Sequence, residues 1–585
     1  TFRFDVGGAS DSDAVQVRIP IRPPSRAAAA VISGVLRDTA TAVFTLPSGL
    51  DLTRSRLTLS IGSSPVALLK SYASYYRVYP YYCSEQVSSA LTPMLALYRA
   101  RRLAGADAGD TTVLRRDIAS AVEILVRRQR PNGGIGMWSA TDWTSPWLTA
   151  HAGAVLLEAK ELGFAVRDPV PAGIAEFLRE SLKRNQVAVV FVSVGENEVR
   201  ARLTERLAVA EYLSRAGQRD RSLENDLTRQ AALLSPESRL TLSILLARGN
   251  DLAAARRLLE PAWRAVTIEG RTATVPDSLI SRFYFRSLVR PAALLLEATL
   301  AVDPAHALVA PLFETVVSRV RQRDQWWWNT QDYAAAVRAV NAWLRRFPPS
   351  GSPVVEVRGG GRVLTVRDSS VALAGMATQR GDSGTLTLRL ANGTGASRPA
   401  YYALTVTQVP REVPTRPDYR GIVVERWYES YQTGKPVIEV AEGELVRVRI
   451  RVTVPEDRAF VVVDDGLPGG LEAVDLSLRT VGGLPGPGTA DTTGRDDANE
   501  LSPVWEFGSW DGGWWSPFDH RELRDDRVVY SARALWKGAW TASYVARATT
   551  PGVFVRPPVH AEEMYNPAVY GRSDGGVFTV KARAP

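Results

Sequence analysis

The hydrophobic period along this chain runs at two, switches to a helical spacing, and returns to two. Segments 14–21, 30–46 and 56–61 read as short β-strands: Val15-Gln16-Val17-Arg18-Ile19 and Leu57-Thr58-Leu59-Ser60-Ile61 place an apolar side chain at every second position. After Ser63-Ser64-Pro65 the pattern becomes helical, with Ser64 suited to an N-cap and Pro65 to the first helical position. From there to about residue 347, twelve helical segments can be marked, beginning near residues 65, 84, 111, 146, 171, 202, 222, 236, 250, 280, 303 and 329. Ala, Leu and Arg dominate them, as good helix formers should. One of the clearest starts is Asn250-Asp251 ahead of Leu252-Ala253-Ala254-Ala255, since Asn and Asp suit a helix N-terminus. Twelve helices in antiparallel hairpins permit an α/α toroid of six inner and six outer helices, and the same periodicity serves a solenoid equally well.

Strand character returns at Val354-Val355-Glu356-Val357-Arg358 and Arg362-Val363-Leu364-Thr365-Val366, then at 384–390 and 402–407. These strands occupy too short a stretch to form a core alone. Pairing with the strands before residue 62 would supply one, so the helical region reads as an insertion in a β-sandwich. A proline-containing linker at 410–417 precedes a second β unit. Its strands are marked by Val437-Ile438-Glu439-Val440, by 445–452 and by Phe460-Val461-Val462-Val463-Asp464-Asp465, with a turn at Gly466-Leu467-Pro468-Gly469-Gly470 and a Gly/Pro/Asp-rich stretch at 481–500 that reads as a mobile loop.

Composition narrows the classes. A chain of 585 residues exceeds a single core and suggests three or four domains. One cysteine rules out a disulfide scaffold. No basic segment leads into an apolar run, and no apolar stretch reaches the roughly 18 residues of a membrane span. Thr1 is not a methionine, so the sequence reads as a fragment with any export signal outside it. The formal charge of +9 is spread over helices that also carry Asp and Glu. That is the pattern of a solvated, arginine-rich surface and not a nucleic-acid footprint. His151, His306, His520 and His560 are widely separated and form no metal-ligand spacing. Gly133, Gly134 and Gly136 lack the strand and acidic partner of a nucleotide site, and are expected to close one rim of the helical domain.

The single cysteine, Cys83, stands in Tyr79-Pro80-Tyr81-Tyr82-Cys83-Ser84-Glu85-Gln86. If a helix begins here, Cys83 and Gln86 share a face about 5–6 Å apart. A thiolate could then attack the glutamine amide carbon, expel ammonia and leave an internal thioester. An isolated C-x-x-Q is more simply a small buried hydrophobe. Glu85 could orient the ammonia-loss step, and helix capping explains it equally well.

This segment resembles the thioester signature C-x-E-Q of the alpha-2-macroglobulin and complement family, and Tyr79-Pro80 matches the form seen in bacterial alpha-2-macroglobulins. Two further blocks resemble the same proteins. One is Gly133-Gly134-Ile135-Gly136-Met137-Trp138 with Ser145-Pro146-Trp147-Leu148-Thr149-Ala150. The other comprises His520-Arg521-Glu522-Leu523-Arg524-Asp525-Asp526-Arg527-Val528, Tyr544 to Gly552, and Glu562-Glu563-Met564-Tyr565-Asn566-Pro567.

The resemblance implies a multidomain β plus all-α fold. An α/α toroid thioester domain (63–348) is inserted in a CUB-like β-sandwich (1–62 and 349–409), and a macroglobulin-type, receptor-binding-like β-sandwich follows (418–585). It implies no cofactor beyond the Cys83–Gln86 thioester, and no metal. Tyr81 and Tyr82 are local shielding candidates, with Met564 and Tyr565 the interdomain cover. His151 stands where relatives commonly carry an aromatic, so it reads as a packing residue. Without a catalytic histidine, amine capture is expected over hydroxyl capture. The implied function is non-enzymatic: covalent trapping of proteases through their lysine amines after a bait is cut. The upstream macroglobulin domains of the same protein would carry that bait. The implied place is a bacterial cell envelope, periplasmic or lipoprotein-anchored at the inner membrane, with the anchor outside this fragment. A structural or adhesion module, or a toroid-fold enzyme, are the alternatives.

Overall fold

The structure, a computed structural model, describes residues 2–7, 11–17, 28–65, 67–68, 81–103, 108–184, 196–279, 287–318, 329–348, 353–367, 369–373, 378–380, 383–391, 399–475 and 517–583. Tyr79, Pro80, the end of the strand expected at 14–21, the helix start expected near 280 and the loop expected at 481–500 lie outside them.

Strands from both ends of the helical region share two sheets. Ala28–Leu36 and Arg56–Gly62 flank Ala400–Gln408 antiparallel, with Leu404 opposite both Ile32 and Leu59. Thr39–Thr45 pairs with Ser383–Leu390, which continues to Val354–Gly359 and Arg362–Arg367. Thr39–Thr45 alternates strictly between exposed and buried, and turns Ala40, Ala42 and Phe44 into the layer between the sheets. There they meet Leu59, Ile61, Val355, Leu388 and Tyr402. Period-two patterning and antiparallel pairing thus give one two-layer core from strands some 370 residues apart in sequence.

Eleven α-helices lie between them among the described residues: α1 (Ser84–Leu103), α2 (Ala108–Arg127), α3 (Pro146–Glu161), α4 (Pro169–Lys183), α5 (Glu196–Arg215), α6 (Arg221–Arg229), α7 (Pro236–Arg248), α8 (Leu252–Ala265), α9 (Arg290–Val302), α10 (Val309–Ser318) and α11 (Thr330–Arg346). Their starts follow from local chemistry. Ser145, Asp220, Ser235 and Asp251 each accept a backbone N–H in the first turn, and Asn329 forms a reciprocal capping box with Asp332. The start expected near 303 falls instead at Val309, because Asp303-Pro304 ends α9 and a turn through His306 intervenes.

Alternate helices form a closed cycle. Helix α1 packs on α3, α3 on α5, α5 on α7, α7 on α9, α9 on α11, and α11 returns to α1. Leu91, Leu156, Leu213, Leu245, Leu295 and Val340, one from each, belong to a single apolar cluster. The ring leaves a cavity of about 120 Å³ lined by charged side chains that include Glu211, Arg215, Glu237, Arg290 and Arg338.

The C-terminal unit packs a six-stranded sheet against a four-stranded one, with a third sheet of three strands beside them. Three further strands set this core beyond those expected from the sequence, Val423–Ser430, Arg527–Leu535 and Gly538–Ala548. Between the sheets, Arg426 forms an ion pair with Asp465, whose other oxygen accepts from the Tyr544 hydroxyl at 2.8 Å. Both members of the pair are fully buried.

Candidate functional site

Cys83 is the residue before α1, and Gln86 lies in that helix's first turn. The Cys83 backbone N–H donates to Gln86 Oε1 at 3.2 Å, folding the amide back toward the cysteine. Both side chains are buried, Cys83 completely. Neighbouring loops fix the turn. Ser84 N–H donates to Met137 O at 2.7 Å, Ser84 Oγ donates to Gly136 O at 2.6 Å, and Arg128 donates to Ser84 Oγ at 3.3 Å. The Gly133–Trp138 segment therefore cradles the start of α1. Gly136 allows this because a Cβ there would lie 1.9 Å from Ser139 O.

The wall opposite comes from the C-terminal β unit. Cys83, Tyr81, Met137 and Leu148 join Phe460, Val462, Val529, Met564 and Tyr565 in one buried cluster. Gln86 Nε2 donates to Met564 Sδ at 3.3 Å, and the Tyr565 hydroxyl lies 3.8 Å from Cys83 Sγ. Asn329 Nδ2 donates to Tyr565 O at 2.9 Å, so the cap residue of α11 also grips the cover. Phe460 meets the Tyr565 ring edge-on at 5.4 Å, and its carbonyl accepts Met564 N–H. Phe460 adopts φ +53, a left-handed conformation rare for a bulky residue. Its strain, of order 1–3 kcal/mol, sits where the strand must aim Met564 and Tyr565 at the ring.

Around the rim, Trp138 stacks on His520 at 4.8 Å and Arg533 lies 5.0 Å over Trp143. Among the described residues, Arg128, which donates to Ser84 Oγ, and Arg533, over Trp143, are two guanidiniums beside the site.

Tyr81 is buried beside Cys83, whereas Tyr82, between two inward side chains, is turned outward and 46% exposed. Tyr82 thus has no place in the buried cover. His151 stacks on Trp147 at 5.0 Å, and its Nε2 lies 3.2 Å from Ser89 Oγ.

Glu85 has more partners than a capping residue needs. Its buried carboxylate accepts from Ser89, Gln331 and Tyr565, and from Thr330 at 2.9 Å. Sequence reading missed Thr330, Gln331 and Asn329. The one local signal was the cap at Asn329, and nothing in it pointed to a carboxylate 245 residues away.

Desolvation sets the electrostatics. Burial, helped by the nearby Glu85 carboxylate, pushes the Cys83 thiol up to about 12. Burial also raises Glu85 against the pull of its donors, and lowers His151 to about 3 and His520 to about 4. The thiol is therefore kept protonated and inert toward solvent. Among the described residues no group of His, Cys, Asp and Glu is arranged to hold a metal ion. No helix among them is long and apolar enough to cross a membrane.

Comparison with known proteins follows the same lines. The sequence model of the bacterial alpha-2-macroglobulin MG10 domain matches residues 421–568. Alpha-2-macroglobulin of Xylella fastidiosa (strain Temecula1) is 27% identical over 513 residues, covering 84% of this chain and 28% of the relative. The alpha-2-macroglobulin homolog of Yersinia pestis is 26% identical over 601 residues, covering 98% of this chain and 28% of the relative. The chain thus spans about 28% of the length of these curated relatives. In structure, it is similar to native Escherichia coli alpha-2-macroglobulin from domain MG7 to the C-terminus, with a TM-score of 0.73 at 20% identity over 97% of this chain and 84% of that one. Salmonella alpha-2-macroglobulin reacted with methylamine gives the same score and identity over 98% of this chain and 35% of that one. In sequence and fold, the chain strongly resembles the C-terminal part of bacterial alpha-2-macroglobulins, from MG7 onward.

Proposed function

We propose that this chain is the reactive C-terminal portion of a bacterial protease inhibitor, in which Cys83 and Gln86 form an internal thioester that captures amines of an attacking protease. One observation carries the reading: the Cys83 backbone N–H holds the Gln86 amide beside the cysteine at the start of α1, and both side chains are buried under Met564 and Tyr565 from another unit. Attack of sulfur on Gln86 Cδ expels ammonia and stores an acyl group. Burial then excludes the water that would hydrolyse it. An incoming lysine amine would bond to that carbon and return the thiol to Cys83.

In this reading the helix ring is an α/α toroid thioester domain at 63–348, inserted in a CUB-like sandwich at 1–62 and 349–409. The last unit, 418–585, is a macroglobulin-type sandwich. Bait cleavage belongs to upstream macroglobulin domains, and separation of the last unit from the ring admits the protease. The family resemblance supports the bacterial cell envelope as the place of this work.

The test is intact-mass measurement with thiol titration. Fresh, uncleaved protein should be lighter than its sequence mass by one ammonia and show no free thiol; methylamine should then add its own mass and release one thiol. Protein at full sequence mass with a titratable Cys83 after gentle purification sinks the proposal, and hydrolysis is distinguished by its added water.

A further inference from the structure

We infer that the C-terminal unit also takes part in forming the thioester, with the Tyr565 hydroxyl carrying the thiol proton and Glu85 positioning and polarising that hydroxyl. The inference rests on the thioester reading above and adds roles that a passive cover does not need.

Ring closure has to move one proton. The Cys83 S–H bond breaks, sulfur bonds to Gln86 Cδ, the Cδ–Nε2 bond breaks, and nitrogen leaves as ammonia carrying the thiol's proton. Three parts of that reaction have identifiable protein groups. The Cys83 backbone N–H, 3.2 Å from Gln86 Oε1, faces the oxygen that gains charge in the tetrahedral intermediate. The Met564 sulfur accepts from the departing nitrogen at 3.3 Å. The thiol itself is buried, with its proton held tightly, so solvent hydroxide is a poor base for it.

The group that can take this proton is the Tyr565 hydroxyl, 3.8 Å from Cys83 Sγ and hydrogen-bonded to Glu85 Oε2. As the phenol accepts the thiol proton it passes its own to Glu85. The reverse movement returns a proton to the leaving nitrogen, so Tyr565 and Glu85 end unchanged. Burial raises the proton affinity of Glu85, which suits a base that must serve a phenol. Ser89, Thr330 and Gln331 hold the carboxylate in place from α1 and α11. Among the described residues, ionisable groups nearby include Arg128, whose proton affinity burial lowers and which stays charged, and His151 beside Ser89, which burial keeps neutral above about pH 3. A cover needs only the ring of Tyr565, and that ring does not account for a hydroxyl placed between the nucleophile and a buried acid.

The experiment uses reversal and reclosure in the whole chain. Ammonia opens the thioester to the cysteine and glutamine precursors; after ammonia is removed, closure is followed by loss of titratable thiol and of one ammonia mass. Tyr565→Phe keeps the ring and removes the proton carrier, while Glu85→Gln keeps the shape and removes the base. Wild-type closure should vary little between pH 6 and 8. Each variant should close on the order of 10²-fold slower, with a rate that rises about tenfold per pH unit as solvent hydroxide ionises the thiol. Tyr565→Phe closing at the wild-type rate, or slower with an unchanged pH profile, overturns the relay. Should Glu85→Gln fail to fold, Tyr565→Phe alone decides. A wild-type chain that never loses ammonia or reacts with methylamine defeats the thioester reading itself, a different result from either.

Discussion

The Tyr565 hydroxyl donates to Glu85 Oε2 across 480 residues of sequence, joining the last β unit to the first turn of α1 beside Cys83. The C-terminal unit and the turn that carries Cys83 therefore share one hydrogen-bonded acid. Anything that parts them takes one of four donors from a buried carboxylate that Ser89, Thr330 and Gln331 also serve.

Removing the cover should accelerate amine attack without proteolysis. Tyr565→Ala forfeits about 3–5 kcal/mol of packing and opens a route to Cys83. Methylamine-driven thiol release should speed up, most in the Met564→Ala/Tyr565→Ala double variant and least in Tyr565→Phe. An unchanged rate in a double variant with native circular dichroism removes both residues from the shield.

The buried Arg426–Asp465 pair should dominate stability of the C-terminal unit. Asp465→Ala leaves a guanidinium without its carboxylate and should cost about 3–5 kcal/mol. Replacing both members by apolar residues should recover most of that loss. Scanning calorimetry of wild type, single and double variants checks the order; a single variant as stable as wild type contradicts it.

Acid should destabilise the fold through two histidines. Burial holds His151 at about 3 and His520 at about 4, both below the ordinary value of 6.5. The unfolded chain therefore takes up their protons first as pH falls. Their stability contribution is complete above about pH 6.5 and is lost on the way down to pH 4 and 3. His151→Phe, which keeps a ring against Trp147, should flatten this dependence in urea titrations between pH 6.5 and 4. An identical pH profile in the variant shows that His151 does not supply it.

Gly136→Ala should disturb the reactive turn from outside it. The new Cβ would lie 1.9 Å from Ser139 O, so the loop must shift and carry Met137 O away from Ser84 N–H. A lower melting temperature together with faster methylamine reaction is expected. A variant matching wild type in both shows that the loop absorbs the methyl group freely.

Legibility in the sequence followed range. Cys83, Glu85 and Gln86 fall within one helical turn, so their spacing permits an internal thioester, while the resemblance to the C-x-E-Q signature is what favours it over a small buried hydrophobe. Asn250-Asp251 announced α8 because capping is local. Alternation in Thr39–Thr45 and Arg56–Gly62 showed which faces are apolar, but the opposition of Ile32 to Leu404 depends on the closed path of the chain between them. Two of the four donors on Glu85 were not readable, since Thr330 and Gln331 reach it only because α11 returns to α1. The backbone of Phe460 was hidden as well: a positive φ in an apolar strand has no compositional sign.

Arg128 and Arg533, two guanidiniums beside the site, belong to a wider habit: the chain holds six lysines against 65 arginines. A lysine amine can shed its proton and attack an acyl carbon, whereas a guanidinium stays protonated and is a poor nucleophile. For a molecule carrying the proposed electrophile, this makes its own surface a poor target. Once uncovered, Gln86 would have few competing amines on the chain itself, and its acyl group would be left for those of whatever protein had come close enough to expose it.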